Sequence, residues 1–291
     1  MTQLTNLHYH DLTTFDVNKV SASLWRVAFK NPPLNLIDCA MIVDLRKLFD
    51  EIEKGEGPAV LLFESADRDF FLAHWDISPE NSARVNALPA GPTGLNPWLD
   101  ILLRVSKLPA VTISAIRGRA RMAGSEFILA TDIRFASRER AFVGQLEVGF
   151  GNVPGGGPAA RLPGIVGRGR ALEILLGGED FDGELAERYG YVNRAVPDAE
   201  FEEFVERFAR RVSNFDRQGL SDIKQFVNEA SLPKDDVFPP QLEAFRRGAA
   251  APSTQTRFKK ANELGLQKRS DLELRLGEYI GTLTADGWPV R

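Results

Sequence analysis

The side chains that stand out for chemistry are two glutamates, Glu126 and Glu147, and three arginines at alternate positions, Arg117, Arg119 and Arg121. In an extended segment a period of two turns all three guanidiniums to one side, where they can grip a ligand carboxylate bidentately. The plainer alternative is pairing with acidic side chains or exposure at a subunit interface, because a buried triple cation is costly without partners. Taken alone, Glu126 suits the first turn of a helix, where a carboxylate complements the dipole, and Glu147 suits a solvated loop. Other chemistries lack support. Gly149-Phe150-Gly151 has Pro154 where a dinucleotide fingerprint needs its third glycine, and no Gly-Lys-Ser/Thr phosphate loop occurs, which argues against NAD and ATP. Ala123-Gly124-Ser125-Glu126-Phe127 lacks the glycine pair of a nucleophile elbow. His8, His10 and His74 match no zinc spacing, and the single cysteine, Cys39, excludes an intrachain disulfide, so no metal site is expected.

An alternation of strands and helices must position these residues. Ser23 to Phe29 is a β-favouring run ended by Asn31-Pro32-Pro33. From Asp38 to Lys54 apolar residues recur at three- and four-residue steps, with Asp38 as the N-cap of a helix. Gly55 and Gly57-Pro58 break it, and Ala59 to Phe63 reads as a buried strand. Leu95 to Ser106 and Ser125 to Ala130 follow as helices, with strands at Ala110 to Ile116, Ile133 to Ala136 and Arg140 to Val143, which is an α/β pattern. Past Ala199 the strands stop, and Phe201 to Val212, Leu220 to Ala230, Pro239 to Gly248 and Ser253 to Gly281 read as helices. The expected division is a core over residues 1–198 and a helical region over 199–291. Leu272, Leu276, Tyr279 and Ile280 form a stripe suited to a partner subunit or to the chain's own core.

Apolar residues at 43% and charged residues at 26% fit a globular chain with a packed core. A net charge of −4, from 36 basic and 40 acidic side chains, argues against a dedicated nucleic-acid binder. Met1 to Phe15 lacks the apolar core of a secretory signal, and no run approaches the roughly 18 apolar residues of a membrane span, so a cytoplasmic location is expected.

Four segments carry a resemblance. Phe71-Leu72-Ala73-His74-Trp75-Asp76-Ile77 is similar to the crotonase-superfamily segment Phe-Ser-Ala-Gly-Ala-Asp-Ile, and Ile116 to Phe127 to that family's Asn-Gly-X-Ala-X-Gly-Gly-Gly-X-Glu. Gly144-Gln145-Leu146-Glu147-Val148-Gly149 leads into Val153-Pro154-Gly155-Gly156-Gly157 and Arg161-Leu162-Pro163 in the family's order, and Ala171 to Pro197 continues it. The chain therefore resembles the enoyl-CoA hydratase/isomerase, or crotonase, family over about Asn31 to Pro197.

The resemblance implies a spiral of ββα units with a C-terminal helical region, and a homotrimer or dimer of trimers. It implies an acyl-CoA thioester substrate, as in fatty acid metabolism, with coenzyme A as part of the substrate and no tightly bound cofactor. An oxyanion hole falls on the backbone N–H groups of Trp75 and Ala123, where His74-Trp75 stands for Gly-Ala and Met122-Ala123 for Gly-Gly. Glu126 takes the place of a base that activates water and Glu147 that of an acid, since like charges at close range separate two protonation states. Pro33, Leu34, Ala73, His74, Asp76 and Gly124 fall at substrate and CoA-contact positions. Hydration of a 2-enoyl-CoA is the leading expectation. An enoyl-CoA isomerase, a thioester hydrolase, or a catalytically reduced structural or binding subunit are the alternatives.

Overall fold

The computed structural model describes residues 12–282; His8 and His10 lie outside them. Among the described residues the strands are β1 (Phe15–Lys19), β2 (Leu24–Phe29), β3 (Val60–Ser65), β4 (Phe70–Leu72), β5 (Val111–Ile116), β6 (Arg119–Arg121), β7 (Ile133–Ser137), β8 (Phe142–Gly144), β9 (Phe181–Asp182) and β10 (Arg194–Val196). The helices are α1 (Cys39–Glu51), α2 (Pro79–Asn86), α3 (Pro97–Lys107), α4 (Ala123–Ala130), α5 (Pro158–Val166), α6 (Arg168–Gly177), α7 (Gly183–Tyr189), α8 (Asp198–Ser213), α9 (Arg217–Ser231), α10 (Pro239–Ala249), α11 (Pro252–Glu263), α12 (Asp271–Leu274) and α13 (Leu276–Ile280).

The strands form two sheets. One has the order β1-β2-β3-β5-β7-β10 and the other β4-β6-β8-β9. Each sheet is parallel except at one edge, where β1 pairs antiparallel to β2 and β9 to β8. Successive turns of the chain thus add one strand to each sheet and one or two helices beside them, which is the expected crotonase spiral. Helix α1 begins where its sequence says it should, because the Asp38 carboxylate accepts the Met41 N–H at 2.8 Å. Its apolar face enters the main core with Phe29, Phe63, Phe71 and Phe127, whose rings meet at 5.0–5.9 Å, mostly edge to face.

Helix α8 covers the other face of the larger sheet, burying Phe201, Val205 and Ala209 against Leu24, Leu62 and Phe135. The stripe of Leu272, Leu276 and Ile280 packs on the chain's own Met122, Leu146 and Phe150. The single helix expected over Ser253 to Gly281 is broken. The chain leaves α11 at Glu263 and turns through residues 264–270, where Gln267 takes a φ of 65°. Ser270 Oγ donates to the Gly265 carbonyl at 2.8 Å, and Glu273 accepts the Gln267 N–H at 2.5 Å, so side chains replace the helical ladder here.

Candidate active site

Between the second sheet and α4 the chain makes a tight reversal. Met122, directly after β6, donates its N–H to the Gly144 carbonyl at 2.8 Å, and its φ of 49° and ψ of −119° let α4 start at once with Ala123. That conformation costs a non-glycine residue about 1–3 kcal/mol. Burial of Met122 among Leu146, Phe150 and Leu272 helps to hold it. Helix α4 then packs directly on β4, because a Cβ on Gly124 would stand 2.0 Å from the Leu72 carbonyl oxygen. This close approach brings the first turn of α4 beside the loop that follows β4.

In that loop Ile37 brackets Trp75, donating to the His74 carbonyl at 2.8 Å and accepting the Asp76 N–H at 3.0 Å. The Trp75 N–H therefore faces away from Ile37. The Ala123 N–H belongs to the first turn of α4, where amides have no intrahelical acceptor. His74, Trp75, Ala123, Glu126 and Glu147 all line one cavity of about 420 Å³. Pro33, Leu34, Ala73, Asp76 and Gly124 sit outside its wall. Leu34 and Ala73 are buried against Phe70, and Asp76 accepts from the Ser78 N–H and Gln267 Nε2 at 2.9 and 3.2 Å.

Glu126 is 4% exposed, and both of its oxygens are held: Gly156 N–H donates to Oε1 at 2.6 Å and Trp98 Nε1–H to Oε2 at 2.7 Å. Burial raises its carboxyl above the usual carboxylate range, and the donors from Trp98 and Gly156 and the nearby Arg161 offset only part of that rise. Glu147, on the turn after β8, is 7% exposed, and burial followed by the charge of Glu126 pushes it well above that range. With the Gln145 amide turned to satisfy both its ends, Tyr191 donates to Ser125 at 2.5 Å. Ser125 then donates to the Gln145 oxygen at 3.0 Å and Gln145 donates to both Glu147 oxygens at 3.1 Å. One carboxyl is thus braced by peptide and indole donors and the other is biased to keep its proton. Such a pair can take a proton at one point and deliver one at another.

His74 is a buried ion-pair partner. Nδ1 donates to the Trp75 carbonyl and Nε2 to Glu273 Oε1, both at 2.9 Å, and donation from both nitrogens makes the ring an imidazolium. Burial alone would lower its pKa, but Glu273 outweighs burial and raises it. The three arginines face different partners, and none lines the cavity. Arg117 bonds Asp198 at 2.8 Å, Arg119 the Leu274 carbonyl at 2.9 Å, and Arg121 both oxygens of Asp180 at 2.5 and 2.6 Å. The plainer expectation, pairing with acidic side chains, holds for Arg117 and Arg121, and the alternative of three guanidiniums on one side gripping a ligand carboxylate finds no support. Gly118, at a φ of 76°, interrupts the extended repeat and turns Arg117 away from the other two.

Sequence reasoning missed most of the cavity wall. Trp98 stands 6.0 Å from Trp75, ring to ring, and Phe150 stacks on Phe258 at 4.8 Å. Leu242 and Phe245 of α10 and Leu266 complete an aromatic and aliphatic roof from the helical region. The signal for Trp98 was present in Asn96-Pro97, an N-cap and first helical residue that start α3 at the cavity edge.

The model of the enoyl-CoA hydratase/isomerase family matches residues 19–262. The chain belongs to that family. A structure from Streptomyces avermitilis, assigned as an enoyl-CoA hydratase, is 42% identical and superposes with a TM-score of 0.88 over 94% of this chain and 98% of that one. The Arabidopsis thaliana peroxisomal protein assigned as enoyl-CoA hydratase 1 is 28% identical over 73% of this chain and 78% of its own length. An enoyl-CoA hydratase from Mycobacterium avium subsp. paratuberculosis, at 22% identity and a TM-score of 0.73 over 85% of this chain and 96% of that one, shares the fold. The chain is thus a hydratase-like enzyme of a family that acts on CoA thioesters. No helix among the described residues is long and apolar enough to cross a membrane.

Proposed function

We propose that this enzyme hydrates a 2-enoyl-CoA thioester. The observation that carries the reading is the pair of buried glutamates on one cavity, one braced by two N–H donors and the other biased toward its protonated form. The thioester carbonyl lies against the N–H groups of Trp75 and Ala123, and each such donor is worth about 3 kcal/mol to the developing enolate oxygen. Glu126 accepts a proton from water as that water attacks Cβ, and Glu147 delivers its proton to Cα, which completes addition of one water across the double bond. The positive end of α4 favours charge at the same oxygen.

The CoA portion follows the loop through Pro33 and Leu34 and the turn of Ala73, His74 and Asp76, with Gly124 keeping α4 close. Support comes from the backbone ladder between these segments, in which Ala73 N–H donates to Asn35 at 3.3 Å beside the two bonds of Ile37. The roof of Phe245, Phe258 and Leu266 suits an apolar acyl chain. We place the enzyme in the cytoplasm as a homotrimer or dimer of trimers, with residues 1–198 as the catalytic core and 199–291 as the oligomerising region. Ile223, Phe226 and Val227 on one face of α9, each more than half exposed, support association.

The test follows loss of the conjugated thioester absorbance with short, branched and aromatic 2-enoyl-CoAs. Glu126→Gln and Glu147→Gln are each expected to lower the rate about 10²–10⁴-fold with CoA-ester affinity retained. Unchanged rates in either variant overturn the assigned roles, and no turnover of any enoyl-CoA overturns hydration.

A further inference from the structure

Trp98 contributes more than wall area. Its ring is 5% exposed at the second position of α3, and its one polar atom ends on Glu126 at 2.7 Å. An indole N–H can only donate, so Glu126 must present an acceptor there at all times. Gly156 makes the same demand on the other oxygen. With one N–H on each oxygen, the carboxylate is fixed in rotation. A proton on either oxygen must then use a remaining lone pair beside a donor already in place. Glu147 receives no donor of this kind from α3 and takes its brace from the neutral amide of Gln145. The charged groups that face Glu126 are Glu147, from the turn after β8, and Arg161, from α5. Both act on it whether or not the indole is present.

We propose that Trp98 is a positioning residue that assigns the two glutamates their separate roles: its indole N–H favours the ionised form of Glu126 and orients it as the base, which biases the proton of the pair toward Glu147. The proposal rests on the hydration reading for its kinetic consequence but not for its physical one. Trp98 also stands beside Trp75 in the cavity lining, so the base is fixed to the same aromatic wall that carries one of the proposed oxyanion amides.

Trp98→Phe keeps an aromatic ring on the wall beside Trp75 and deletes the donor, together with a few atoms of buried indole. Its kcat/KM is expected to fall about 10- to 100-fold, the loss of one hydrogen bond to a charged group. KM should stay within about twofold, and the acid limb of the pH profile should move up by about one unit, because the ionised base has lost a stabilising partner. A second measurement needs no substrate. The Trp98 indole N–H resonance, assigned by its absence in Trp98→Phe, is expected to shift with pH as Glu126 titrates and to lose that shift in Glu126→Gln. A Trp98→Phe enzyme with wild-type kcat/KM and an unmoved acid limb overturns the proposal. An indole resonance unchanged between wild type and Glu126→Gln across the pH range does so as well. If no enoyl-CoA is turned over, the hydration reading fails, and the resonance alone decides the role of Trp98.

Discussion

Gly156→Ala tests the placement of Glu126 with the smallest possible change. The backbone of Gly156 lies outside the positive-φ range, so alanine is not strained on conformational grounds. The new Cβ, however, would stand 2.1 Å from Glu126 Oε2, 2.4 Å from its Cδ and 2.8 Å from Leu102 Cδ1, where ordinary contact begins at 3.4 Å. Leu102 can yield through its side-chain rotation. Glu126 cannot yield without cost, since its retreat of about 1 Å stretches the Gly156 bond of 2.6 Å or the Trp98 bond of 2.7 Å. A misplacement of that size in a reacting group costs on the order of 10²-fold in rate, or about 2.7 kcal/mol of barrier. The assay is the initial rate of enoyl-CoA hydration at saturating and limiting substrate, beside a thermal melt. The expected result is kcat down about 100-fold, KM little changed because the aromatic wall is intact, and the melt close to wild type. A kcat within threefold of wild type, in a protein whose Glu126→Gln variant is dead, would refute the claim that Gly156 sets the base.

Two further outcomes follow from the polar contacts around the loop after β4. His74 has a raised pKa and Glu273 a lowered one, against ordinary values of 6.5 and 4.5, with burial opposing both shifts and their mutual attraction winning. The histidine contribution is complete below pH 6.5 and fades as pH rises through its folded value; the glutamate contribution is complete above pH 4.5 and fades as pH falls through its folded value. The difference in melting temperature between wild type and His74→Gln should therefore be largest between those two pH values and shrink on either side, and a difference flat from pH 4 to 9 counts against the ion pair. Arg121→Met breaks a buried pair and strands Asp180, so chemical unfolding should show a loss of about 3–5 kcal/mol. Plain and carboxylated acyl-CoAs should suffer alike, and a selective loss on the carboxylated ester would restore the ligand-binding reading of that arginine.

What the sequence disclosed and what it hid follow from the range of the forces involved. Helix α1 was legible because its cap and its apolar spacing are local, and Asp38, Met41 and Leu45 lie within two turns. The break after Glu263 was hidden because the apolar spacing runs on through Leu272, Leu276 and Ile280, while the bonds that end the helix are made by side chains such as Ser270 and Glu273. Strand β1 escaped notice because its five residues bury little besides Phe15 and gain their pairing from β2. Periodicity misled at the arginines, since alternation predicts one face only while the backbone stays extended and Gly118 bends it. The two glutamates were visible through a family pattern. The groups that tell them apart were not: Trp98 stands 28 residues before Glu126 and Gly156 stands 30 after it. A donor that meets a carboxylate only after two helices have packed leaves no spacing to read. On the proposed reading, the chemistry of such a site is written in its acids, and the division of labour between them in the neutral donors that the fold delivers.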